Sequence, residues 1–169
     1  MQTSMDTTPH AIFSFDKNTS TEDWTIINDA VMGGKSSGSF QLNEAGKGVY
    51  KGAISLENNG GFSSLRHRFK KIDARTFTKV VLRVKGDGKP YQFRIRANSS
   101  DYFSYIGKFE TKTEWQTIEI KFNTMYPAFR GRTLDMPNYN GDSIEEIAFL
   151  IGNKKKENFR LLLEHITLT

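Results

Sequence analysis

The sequence predicts an all-β fold, a single two-sheet antiparallel β-sandwich, and three observations predict it. Apolar residues recur with a period of two, turn-forming clusters return about every 8–12 residues, and no long stretch repeats at 3.6 residues.

Taken in order, strands are expected at 11–15, 24–28, 37–42, 48–56 and 62–69, with turn clusters at 43–46 and 58–61. Val80, Leu82 and Val84 then alternate with Val81, Arg83 and Lys85. After a turn at 86–89, Tyr91, Phe93, Ile95 and Ala97 alternate with Gln92, Arg94, Arg96 and Asn98, the pattern of a strand with one face in the core. A strand at 101–110 follows, and Ile118, Ile120 and Phe122 alternate with Glu119 and Lys121. Residues 123–142, with Pro127, Pro137 and two glycines, read as an irregular segment covering one mouth of the sandwich. The stretch 144–151 is more continuously apolar. Phe159, Leu161 and Leu163 share a register with Ile166 and Leu168 only if a bulge lies near His165. Residues 152–158 read as an exposed hairpin turn whose lysines blunt a sheet edge. The total is about eleven strands, a sandwich or jelly roll.

With 169 residues the chain holds one core, assigned to 11–169, preceded by a flexible segment at 1–10. A hydrophobic fraction of 37% with thirteen Phe supplies that core without disulfides. The absence of cysteine excludes thiolate nucleophiles and every Cys-based metal site, and makes an intracellular, cytoplasmic setting the simplest fit. The polar opening residues do not read as a secretory leader, and no apolar run approaches the roughly 18 residues of a membrane span. Against 19 acidic residues stand 24 Lys and Arg, a formal charge of +5 that permits an acidic partner and equally serves solubility.

No catalytic constellation is expected. His10, His67 and His165 lack metal-ligand spacing, and the adjacent Glu145 and Glu146 point to opposite faces of a strand. Gly33-Gly34-Lys35-Ser36 is not a phosphate loop, because Asp29 stands where the Walker pattern requires a glycine. Its glycines supply positive φ or close backbone approach, with Asp29, Ser36 and Ser37 bonding loop amides; the alternative is a ligand-lining loop. If that loop meets residues 58–63, with Gly61 and Ser63, the two form a polar mouth suited to a ligand. Arg94 and Arg96 share a strand face, Arg66 and Arg68 repeat the spacing, and Arg83 is expected on the polar face of a neighbouring strand. With Tyr91, Tyr102 and Tyr105 nearby, these arginines suit phosphate, carboxylate or a stacked ring; otherwise they pair with carboxylates and cover apolar surface. Arg130 and Arg132, in the irregular segment, either clamp an anion or brace the loop. Trp24 and Trp115 read as packing residues.

The segment at 24–40, WTIINDAVMGGKSSGSF, resembles the opening signature of the complex I intermediate-associated protein 30 family. GAISLENNGGFS at 52–63, GDGKPY at 86–91, Trp115, Arg130-Gly131-Arg132 and the closing strand 159–166 follow in that family's order, so the likeness spans about residues 12–168. The resemblance implies a jelly roll of the galactose-binding-like type. It also implies a non-catalytic assembly factor or chaperone-like protein for a respiratory or other multi-subunit complex, in a compact stand-alone bacterial form. A protein partner is expected from it, without metal or other cofactor. The alternatives are a carbohydrate-binding module and binding of RNA or another anionic ligand through the arginines.

Overall fold

The structure, a computed structural model, describes residues 8–29 and 33–169. The flexible segment expected at 1–10 and the centre of the 24–40 motif therefore lie partly outside the described residues, although His10 already opens a strand.

Thirteen strands run through the described residues: β1 (His10–Ser14), β2 (Trp24–Asn28), β3 (Ser37–Leu42), β4 (Gly48–Ile54), β5 (Ser63–Asp73), β6 (Lys79–Lys85), β7 (Tyr91–Arg96), β8 (Ser104–Phe109), β9 (Trp115–Lys121), β10 (Tyr126–Phe129), β11 (Arg132–Thr133), β12 (Ser143–Ile151) and β13 (Glu157–Leu168). They form two sheets whose pairings, where given, are all antiparallel, the two-sheet sandwich the alternation predicts. One has six strands in the order β3-β4-β13-β6-β9, with β1 also on β13; the other has seven, β11-β10-β8-β7-β12-β5-β2.

The core lies between the sheets. Val80, Leu82 and Val84 of β6, with Leu161, Leu163, Ile166 and Leu168 of β13, meet Leu65, Phe93, Ile95, Ile147, Phe149 and Ile151 from the seven-stranded sheet. The register of β13 against β6 shifts between Leu163 and His165, the bulge that returns Ile166 to the core. Gly107 leaves room for the opposite layer: a Cβ there would stand 2.6 Å from the Ile120 side chain.

The structure corrects three expectations. Residues 152–158 are not a hairpin, because β12 and β13 belong to different sheets; the segment crosses between layers. The turns at 58–61 and 86–89 also cross, since β4 and β6 lie in one sheet and β5 and β7 in the other. A period of two reveals which face is buried and not which strand is the partner. The segment 123–142 contains β10 and β11, while its remainder closes one end through Tyr139, which packs on Phe122 at 4.9 Å and donates its backbone N–H to Met125.

Candidate functional site

Two assemblies gather the residues singled out in the sequence: a loop junction at Asp29, and the outward face of the seven-stranded sheet.

Asp29 follows β2 and is fully buried. Its carboxylate accepts from the Ser36 amide at 2.9 Å, the Ser36 hydroxyl, and the amides of Gly61 at 2.5 Å and Phe62 at 3.2 Å. Burial works to raise this carboxyl, and the Ser36 hydroxyl with the Gly61, Ser36 and Phe62 amides outweighs it, leaving it below its ordinary value. Gly34 and Gly60 are required by contact: a Cβ at either would fall within 2.5 Å of an Asp29 oxygen. Asn58 Nδ2 adds a bond to the Gly33 carbonyl, and Ser36 also receives the Ser55 amide. The loops at 33–36 and 58–63 do meet, but these amides point inward to a carboxylate of the chain itself. Ser63 is also inward, accepting from the Tyr50 hydroxyl at 2.8 Å. Asp29, Gly34, Ser36, Gly61 and Ser63 thus serve as a joint, while Gly33 takes the positive φ of 86° that the turn requires.

The second assembly follows from register. Ala148 of β12 pairs with Arg66 of β5 on one side and Arg94 of β7 on the other; Glu146 pairs with Arg68 and Arg96 in the same way. Arg94 in turn lies opposite Ile106 of β8, and Ile106 opposite Tyr126 of β10. Directly paired residues share a face, so these side chains all leave the core on one side of the sheet.

That face is unusual in its burial. Ile106, Ala128, Ala148 and Leu150 point away from the core, belong to no part of its cluster, and are only 3%, 6%, 5% and 7% exposed. Long basic side chains rise around these apolar residues. Glu146, with a side chain 6% exposed, bonds Arg68 at 3.1 Å and lies 3.5 Å from Arg96. Arg94 is held differently: its Nε and Nη2 donate to the Gln92 side-chain oxygen at 3.0 and 2.7 Å. Burial, then the neighbouring Arg66 charge, push the Arg94 guanidinium down to about 10, so it is still a cation at neutral pH. Burial also lowers Arg66, against the pull of Glu146. Beyond Gln92 and Lys108 the face runs into a depression of about 300 Å³ lined by Pro90, Glu110, Gly152 and Asn153.

Arg83 does not join this face. It lies on β6 in the other sheet, where Nε is 3.7 Å from Glu164 and Nη1 reaches Thr117. Arg130 stacks on the Phe129 ring at 5.1 Å, and Arg132 pairs with Phe129 on the side opposite Ala128, so neither converges with the others. Tyr91 is buried and donates to both Asp87 oxygens at 3.0 Å, a structural role. Sequence reasoning did not single out Gln92, Lys108 or Tyr126, and dismissed Glu146. Among the described residues no group of three His, Asp or Glu side chains is arranged to hold a metal, and no helix is long and apolar enough to cross a membrane.

Comparison with known proteins places this architecture. The family model described as complex I intermediate-associated protein 30 matches residues 13–163. The chain belongs to this family. Two curated relatives are the mitochondrial complex I intermediate-associated protein 30 of Drosophila melanogaster, 24% identical over 73% of this chain and 49% of that protein, and that of Mus musculus, 22% identical over 92% and 54%. The chain thus spans about half the length of the curated relatives it matches. Among solved structures it is similar to the family 11 carbohydrate-binding module of a cellulosomal cellulase of Clostridium thermocellum, with a TM-score of 0.71 and 18% identity over 95% of this chain and 93% of that one. The same family 11 module in complex with a β-1,3-1,4-mixed-linked tetrasaccharide gives 0.68 at 16% identity over 95% and 94%. A family 29 carbohydrate-binding module gives 0.57 at 9% identity over 95% and 87%. These likenesses confirm the β-sandwich jelly roll expected from strand alternation and the family resemblance.

Proposed function

We propose that this chain is a non-catalytic binding domain that holds a protein partner during assembly of a multi-subunit complex, with the outward face of the seven-stranded sheet as its contact surface. Family membership supplies the assembly role, by way of the relatives named for association with complex I intermediates. The observation that carries the surface is the convergence of Arg66, Arg68, Arg94 and Arg96 on a face directed away from the core. A cluster of cations held in place over a packed floor suits a recognition surface, since charge supplies selection of the partner. A cytoplasmic setting belongs to the same proposal.

The glycan reading has less support. Tyr126 is the aromatic residue among the strand residues of this face, and Lys108 Nζ stands 5.9 Å over its ring centroid, where a sugar would stack. The test is native electrophoresis of extract from the source cells carrying a tagged chain, followed by identification of co-migrating subunits. Co-migration with an incomplete complex, which accumulates when the protein is removed, is expected. Migration of the chain alone, with every complex complete in its absence, overturns the proposal.

A further inference from the structure

Arg66 and Arg94 stand on either side of Ala148, each paired with it in backbone register. Two strand spacings, about 10 Å, separate their Cα atoms, so two arginine side chains can meet above the alanine methyl. Neither has a carboxylate of its own. Glu146 is engaged by Arg68 and Arg96. Among the described residues the Arg66 side chain is in no ion pair or hydrogen bond, its interaction with Glu146 being one of longer range. Arg94 spends one edge of its guanidinium on Gln92, which fixes the plane of the group and leaves the Nη1 edge for something else.

Half-buried like charges with no carboxylate in direct contact are unfavourable in the free chain, and a bound carboxylate relieves that repulsion. Four arginines around Glu146 leave this part of the face net positive, which selects an acidic ligand. The arrangement also sets the ligand's form. Arg94 and Arg96 project from one strand two residues apart, a spacing of about 7 Å, the same as that between alternate side chains of an extended peptide. Between the cations Ile106, Ala148 and Leu150 are already covered by the chain's own side chains, so the guanidinium groups and not the floor make the contact.

We infer that this face is a carboxylate-binding site in which Arg66 and Arg94 are the two unshared guanidinium groups, and that its ligand is an extended acidic segment of a partner polypeptide. The inference rests on the reading of this face as the contact surface and adds the chemistry of what it takes.

The test is titration of the isotopically labelled chain with a hexaglutamate peptide, read at the arginine Nε–H resonances. The Arg66 and Arg94 signals move first and saturate together. Arg94→Gln weakens binding by about tenfold or more, as does Arg94→Lys, which keeps the charge and loses the planar fork. An unchanged melting temperature for Arg94→Lys separates this loss from misfolding. Lys156→Gln, on the exposed crossover, changes the affinity by less than about twofold. Equal movement of every exposed arginine, or full affinity in both Arg94 variants, overturns the inference. So does tighter binding of an oligouridylate at the same resonances, which reassigns the face to nucleic acid. If a partner is captured from the source cells and survives Arg94→Gln, the carboxylate site fails and the assembly role stands. If hexaglutamate binds as described while the chain joins no complex, the site stands and the assembly role fails.

Discussion

The Gly61 amide donates to the Asp29 carboxylate across 32 residues of chain, and this bond ties the end of β2 to the turn before β5. The same carboxylate takes the Ser36 hydroxyl and two further amides, so its negative charge replaces the water those donors would otherwise need.

Asp29→Asn places an N–H group among donors and leaves at least one buried amide without an acceptor. A loss of about 2–4 kcal/mol in folding stability is expected, read from the shift in urea midpoint at unchanged slope. A midpoint equal to that of the parent chain would show that the joint is dispensable.

Stability falls in two stages toward acid. His67 is held below its ordinary value, first by burial, so the unfolded chain takes up its proton first and stability drops as pH falls below about 6.5. Asp29, whose carboxyl is held down by its donors, contributes fully above its unfolded value of about 3.9, and that contribution is lost as pH falls through the lower folded value. Urea unfolding at pH 8, 5.5 and 3.5 reads both stages; Asp29→Asn shrinks the lower one, to which Asp73 also contributes through its bonds from Arg75, and leaves the upper intact. A midpoint constant from pH 8 to 3.5 would contradict the assignment.

Glu146→Gln removes the carboxylate between Arg68 and Arg96. The expected loss is about 2 kcal/mol, below the value for a fully buried pair because the Arg68 side chain is 63% exposed. Affinity for hexaglutamate rises at the same time, since the chain's own competitor is gone. Thermal melting and peptide titration on one sample check the opposed signs.

Tyr91→Phe deletes the hydroxyl that donates to Asp87, a carboxylate that also receives the Arg160 amide at 2.8 Å from the opposite sheet. A loss of about 1–2 kcal/mol is expected in chemical unfolding, with peptide affinity unchanged because Tyr91 points into the core.

The alternation of Val80 to Val84 and of Tyr91 to Ile95 was enough to place β6 and β7 and to assign their buried sides, since burial on one face imposes the pattern directly. The grouping of Arg66, Arg94 and Arg96 followed from the same rule. Arg83 carried an identical local pattern and lies on the other sheet, because pairing is decided by contacts between strands distant in sequence. Glu146 was passed over for the same reason. Its adjacency to Glu145 is local, whereas its place between Arg68 and Arg96 depends on β12 lying between β5 and β7. Tyr126 stood in a stretch whose prolines masked a short strand on the less regular side of the sheet.

Strand β13 follows the other twelve strands in the chain, and it pairs with β1, β4 and β6. Without it, those three strands present open hydrogen-bonding edges and an uncovered apolar side. The six-stranded layer therefore closes only once residues 157–168 are available, and a chain stopped before residue 157 keeps three strand edges open to pairing with other chains.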